Sequence, residues 1–197
     1  MKKIAIINYG SSNLQSVANA LTALGKDFAI VNNPRQLAGF DKIILPGVGA
    51  AGNAMDKLRK SGFAEVLPKL KIPTLGVCLG LQLFGKFSSE GNTKCLSIVP
   101  GKVKKFQTEL KVPHMGWNKV KFVKKSDIAK GIPNNSFFYF VHSYYLETEK
   151  KFVIGQTDYD VNFPAIIRKG NFYATQFHPE KSGKWGLKLL ANFCDLN

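Results

Sequence analysis

One cysteine in this chain has the surroundings of a covalent nucleophile. Cys78 sits at the centre of Gly76-Val77-Cys78-Leu79-Gly80, behind the apolar approach Ile72-Pro73-Thr74-Leu75 and ahead of Gln82. That spacing fits a nucleophile elbow, a sharp strand-to-helix turn that throws one side chain upward from a strained backbone. Small residues two places to either side let the incoming strand and outgoing helix pass closely, and Gly76 and Gly80 occupy those places. A thiol at the first turn of a helix faces unpaired N–H groups and the positive end of the macrodipole, which favour the thiolate.

A thiolate needs a proton carrier, and the carrier needs an orienting group. Of three histidines, His178 has the best context: Ala174-Thr175-Gln176-Phe177-His178-Pro179-Glu180, a short apolar strand running into a proline and a carboxylate. If Pro179 turns the chain, Glu180 folds back on the imidazole. His114 and His142 lie among apolar and aromatic residues, where a hydrogen-bonded structural histidine is the common outcome, and neither is taken as the base. A third element, Ile43-Ile44-Leu45-Pro46-Gly47-Val48-Gly49, is a buried strand breaking into a glycine-rich loop. Such a loop can aim backbone N–H groups at an oxyanion. It could also cradle phosphate, but it lacks the lysine and hydroxyl of a P-loop and is not G-x-G-x-x-G.

In this order, and in a chain of 197 residues, the three motifs resemble the class I, triad-type glutamine amidotransferases. The segments Asn8-Tyr9-Gly10, Pro113-His114-Met115-Gly116-Trp117-Asn118 and Phe140-Val141-His142-Ser143-Tyr144 are similar, more narrowly, to the glutaminase subunits of imidazole glycerol phosphate synthases. The resemblance implies that Cys78 attacks the glutamine carboxamide, His178 acts as base and then acid, and Glu180 orients His178. Ammonia would leave and water would clear the thioester. It further implies an oxyanion hole from N–H groups of Val48, Gly49 and Leu79, and glutamine binding by Gly47, Gln82, Glu90, Ser143 and Tyr144. A carboxylate such as Glu90 also suits an α-ammonium group on chemical grounds. A (β/α)₈-barrel cyclase subunit is the implied partner, meeting Asn13, Met115, Trp117 and Lys181. No cofactor and no metal is expected. A paralogue supplying ammonia to another acceptor, such as a cell-surface sugar, would carry the same glutamine chemistry. Departures from the family pattern are small: Leu81 stands where methionine is frequent, and Gly85 weakens the following helix by about 1 kcal/mol relative to alanine.

The elements that must position these residues are legible as a βα series. Residues 3–8 read as a buried strand, and Leu14, Val17, Leu21 and Leu24 recur at helical spacing until Gly25. Residues 28–31 and 42–45 read as strands, one or two helices fall within 52–70, and strand 74–77 leads into Cys78. Beyond residue 102, short alternating runs with turns such as Lys169-Gly170-Asn171 predict hairpins added to that sheet, and 185–196 a closing amphipathic helix. The expected class is α/β: an open, mostly parallel sheet flanked by helices, with antiparallel hairpins, and by resemblance flavodoxin-like. One domain over 1–197 is expected, since no linker, repeat or low-complexity segment divides the chain.

Three cysteines without a C-x-x-C pair suggest neither zinc nor disulfides, and therefore a reducing cytoplasm. The apolar run 4–7 is too short for a signal peptide or a membrane span. The net charge of +15, from 28 Lys and Arg against 13 Asp and Glu, raises a nucleic-acid-binding module as a rival. The lysines follow no recognition-helix or stacking-strand pattern, and only 102–125 is locally dense. A solvated basic exterior is the preferred reading.

Overall fold

Ile4, Ile6 and Ile44 pack on one side of a central sheet while Ala5, Ile7, Ile43 and Leu45 pack on the other. The continuous apolar runs are therefore strands covered on both faces, the setting of a parallel sheet between helical layers. The computed structural model describes residues 3–10 and 13–196. In chain order its elements are β1 (Ile4–Ile7), α1 (Leu14–Ala23), β2 (Phe28–Val31), β3 (Lys42–Leu45), α2 (Ala51–Lys60), α3 (Phe63–Val66), β4 (Thr74–Val77) and α4 (Leu79–Phe84). Then come β5 (Phe87–Ser88), β6 (Thr93–Lys94), β7 (Gly101–Lys105), β8 (His114–Phe122), β9 (Ser136–His142), β10 (Tyr144–Thr148), β11 (Val153–Asp158), β12 (Asn162–Lys169), β13 (Phe172–Thr175) and α5 (Gly183–Cys194).

The main sheet has nine strands in the order β2-β1-β3-β4-β13-β12-β11-β8-β9. The first five are mutually parallel and follow the doubly wound pattern in which ligands gather at the carboxyl ends of the strands. The remaining neighbours are antiparallel. On one face, Val17 and Leu21 of α1 and Leu189, Leu190 and Phe193 of α5 join the core. On the other, Met55 and Leu58 of α2, Phe63 and Leu81 do so. Each fully buried side chain of this size is worth about 1.5–3 kcal/mol.

Helix α1 ends as its sequence predicts. Gly25 takes φ +61°, its N–H donates to the Thr22 carbonyl and the Lys26 N–H reaches the Leu21 carbonyl. That is the Schellman arrangement, which needs a left-handed residue at the stop.

Two expectations are corrected. The hairpins do not all join the main sheet: β10, β7, β5 and β6 form a separate four-stranded sheet, because the segment after α4 turns away and β5 lies parallel to β7 instead. The last helix begins at Gly183 rather than 185. The absent Cβ of Gly186 lets that helix press onto the Pro179 carbonyl, so the helix grows directly from the turn carrying His178.

Candidate active site

The backbone at Cys78 has φ 54° and ψ −104°, a positive-φ conformation costing about 1–3 kcal/mol in a non-glycine residue. The surrounding glycines explain how it is held. A Cβ on Gly76 would lie 2.8 Å from the Gly80 backbone, and one on Gly80 would run into the Leu45 carbonyl. Strand β4 and helix α4 thus approach more closely than larger residues would allow, and Cys78 is displayed between them. Its sulfur sits 3.9 Å from the Val141 carbonyl and 3.9 Å from Gln176 Nε2.

Strand β13 lies beside β4 in register, Val77 opposite Thr175, so the chain beyond it delivers His178 next to the elbow. Pro179 opens a short 3₁₀ turn, and Glu180 folds back so that its Oε1 is 2.8 Å from His178 Nδ1. A carboxylate oxygen accepts, which puts the Nδ1 proton on the ring and leaves Nε2 for chemistry. Both side chains are essentially inaccessible to solvent. His178 Nε2 has no hydrogen-bond partner meeting ordinary geometry among the described residues, and catalytic contacts often tighten only when substrate binds. Burial alone would lower the His178 pKa. Proximity to Cys78, and then to the Glu180 carboxylate, outweighs it and carries the ring up to about 10. The direction of that shift favours the protonated ring, the form that can donate to a leaving amine.

A cavity of about 370 Å³ opens over the sulfur, lined among others by Val48, Gly49, Cys78, Gln82, Glu90 and Tyr144. Its size suits a small polar substrate.

The glutamine amidotransferase class-I family profile matches residues 5–196. The chain belongs to that family. Among curated relatives, the imidazole glycerol phosphate synthase subunit HisH of Methanocaldococcus jannaschii is 47% identical over 197 residues, covering 98% of this chain and 99% of that protein. The protein of the same name from Archaeoglobus fulgidus is 43% identical over 195 residues, with 98% of each chain covered, and that of Bacteroides fragilis 46% identical over 197, covering 98% and 100%. In fold the chain is similar to the solved PurLQS of Thermotoga maritima, with TM-score 0.74, 16% identity and 98% and 97% of the two chains covered.

In this amidotransferase the structure brings together most of the residues expected from sequence. Val48, Gly49, Leu79, Gln82, Glu90, Ser143 and Tyr144 all line the cavity with Cys78. Gly47 does not; it lies behind the loop, where a Cβ would meet the Tyr9 hydroxyl at 2.8 Å. Its carbonyl accepts from the Leu79 N–H at 3.3 Å, so this expected oxyanion donor is engaged within the protein. Glu90 has a second task that sequence reasoning missed. Its Oε2 accepts from the Ala51 N–H at 2.7 Å, capping α2, whose own N-cap position holds Ala50 and offers no side-chain cap.

Asn13 is corrected. Expected at the partner face, it is only 6% exposed, and its Nδ2 donates to Glu180 Oε1 at 2.7 Å. The other proposed interface residues are on the surface: Met115 is 63% exposed, Trp117 55%, and Lys181 is exposed. The Trp117 ring lies edge-on to Tyr139, whose carbonyl takes the His178 N–H at 3.0 Å. That apolar face is one strand away from the base.

Proposed function

We propose that this amidotransferase is the glutaminase subunit of an imidazole glycerol phosphate synthase, working with a (β/α)₈-barrel cyclase in the cytoplasm as a single domain over 1–197. The full-length similarity to proteins bearing that name supports the assignment, and the His178–Glu180 pair beside the Cys78 elbow carries the chemistry. Cys78 sulfur attacks the carboxamide carbon of glutamine. The oxyanion forms beside the loop 46–49 and Leu79, His178 hands a proton to the departing ammonia, and a thioester remains. Water, deprotonated by His178, then releases glutamate. Glu90 faces the α-ammonium end, while Gln82, Ser143 and Tyr144 shape the pocket. The ammonia passes to the cyclase, which makes imidazole glycerol phosphate and aminoimidazole carboxamide ribotide from a ribulosylated aminoimidazole carboxamide nucleotide. The membrane plays no part in this reading, and among the described residues no helix is long and apolar enough to cross one.

The engaged Leu79 N–H supports slow turnover by the isolated chain, with the oxyanion loop set by the docked partner. Glutamate release is measured for the chain alone, with a candidate cyclase, and with cyclase plus the nucleotide acceptor. Stimulation by cyclase and acceptor together is expected. Stimulation by a partner that ignores this acceptor would instead assign a paralogue feeding another acceptor, and equal turnover with and without any partner would sink the partner-set loop.

A further inference from the structure

Two histidines outside the triad are joined into a directional chain that ends in the substrate pocket. His142 Nδ1 lies 2.8 Å from the Tyr144 carbonyl. A carbonyl only accepts, so Nδ1 carries the proton and, in the neutral ring, Nε2 must accept. Its partner is His114 Nδ1, 3.0 Å away, which must therefore donate, leaving His114 Nε2 as an acceptor. Asn118 Nδ2 lies 3.3 Å from that atom and also donates to the Asp158 carbonyl at 2.9 Å. Every donor thus meets an acceptor in one consistent pair of tautomers. Burial holds both rings neutral: His114 is pushed down to about 4, and His142, by burial with smaller repulsion from His114 and His178, to about 3.

The chain does not stop at Tyr144. The same carbonyl accepts from Gln82 Nε2 at 2.8 Å, Gln82 Nε2 lies 3.4 Å from Gln176 Oε1, and Gln176 Nε2 is the neighbour of the Cys78 sulfur. Aromatic packing fixes the rings from the sides, His114 being stacked between Phe140 and Tyr159 with centroids at 4.9 and 4.0 Å. The Tyr144 carbonyl of the pocket wall fixes the His142 tautomer, and His142 in turn fixes that of His114.

We propose that His114 and His142 are positioning residues for glutamine, holding the Tyr144 carbonyl and through it the Gln82 amide in the arrangement that receives the substrate. They touch neither the thiol nor the scissile bond. The inference rests on the glutaminase reading above.

His114→Phe keeps a flat ring in the stack and deletes the donor to His142. His114→Asn loses the stack but restores an amide N–H near the place of Nδ1. Glutamine hydrolysis by both variants and wild type is measured with the cyclase partner bound, and ¹⁵N spectra of labelled histidine read the tautomers. His114→Phe should raise KM for glutamine about tenfold while kcat stays within about twofold, the mark of lost binding that is equal in ground and transition states. His114→Asn should return KM to within about threefold of wild type. In wild type, both rings should carry their proton on Nδ1. A folded His114→Phe protein with unchanged KM, equal KM changes in both variants, or an Nε2-protonated His142 would each overturn the proposal. Inert wild type would instead remove the glutaminase reading.

Discussion

The Asn13 amide and the Glu180 carboxylate meet at 2.7 Å although 167 residues of chain separate them. Asn13 occupies the N-cap position of α1 yet makes no side-chain cap bond there. A capping asparagine is worth about 0.5–2 kcal/mol to a helix, and this one gives that up to hold the carboxylate that orients His178. His178 Nδ1 approaches the same amide nitrogen at 3.4 Å; both are donors, so the contact is steric and the carboxylate sits in the fork between them.

Asn13→Asp tests this relationship. The new carboxylate could cap α1 but would stand against Glu180, so kcat for glutamine should fall about 10–100-fold while thermal stability changes little. A variant with wild-type kcat would show that the Asn13 contact does not matter to the base. Cys78→Ala should abolish turnover, and Glu180→Gln should cost less than removal of His178, because an orienting group rather than a proton carrier is altered.

The His178 ring is protonated in the folded protein up to about 10, against an ordinary value near 6.5. Its contribution to stability is complete below pH ~6.5 and is lost as pH rises through about 10. The melting temperature of wild type relative to His178→Phe should therefore decline across that window. In Cys78→Ala, which removes one source of the upward shift, imidazole titration followed by NMR should move to lower pH.

Gly80→Ala and Gly49→Ala separate close approach from backbone conformation. A methyl on Gly80 collides with the Leu45 carbonyl, whereas at Gly49 (φ +92°) nothing lies within 4 Å. Overpacking at position 80 should cost about 1–3 kcal/mol and lower Tm by about 2–4 °C per kcal/mol. Gly49→Ala should show only the cost of a left-handed residue, about 1–2 kcal/mol. A Gly80→Ala protein with an unchanged melting temperature would argue against the tight elbow.

Glu90→Gln distinguishes the two tasks of that side chain. Losing the charge at the N-terminus of α2 should reduce stability by about 0.3–1 kcal/mol. If Glu90 also meets the ammonium group, KM for glutamine should rise about tenfold or more. A lower Tm with unchanged KM would leave it as a helix cap alone.

The parts legible in the sequence were those whose signal is local. Strands 28–31, 42–45 and 74–77 coincide with β2, β3 and β4, because each is a short, largely apolar run bounded by turn residues or by the elbow itself, and the elbow follows from two glycines at fixed offsets. Tertiary pairing was not legible. Nothing local says that β13 lies parallel to β4, or that the two-residue strands β5 and β6 build a second sheet with β7 and β10. Asn13, carried over to the partner face by resemblance alone, was misplaced for the same reason: its partner Glu180 is remote in the chain. His114 and His142 were read correctly as buried and hydrogen-bonded, but their shared chain depends on the β8–β9 register, which spacing alone does not reveal.

The pairing of β4 with β13 also has a consequence in time. Cys78 and Gln176, at the ends of these strands, are 98 residues apart in the chain, which a ribosome covers in about 5–20 s at about 5–20 residues per second. During that interval the thiol is already synthesised but the histidine that serves it is not, and one edge of β4 has no neighbour to pair with. A nascent chain is thus inert toward glutamine until its last parallel strand emerges. The same delay leaves an apolar strand edge in need of protection, making the interval before β13 arrives the time when chaperone contact would matter most.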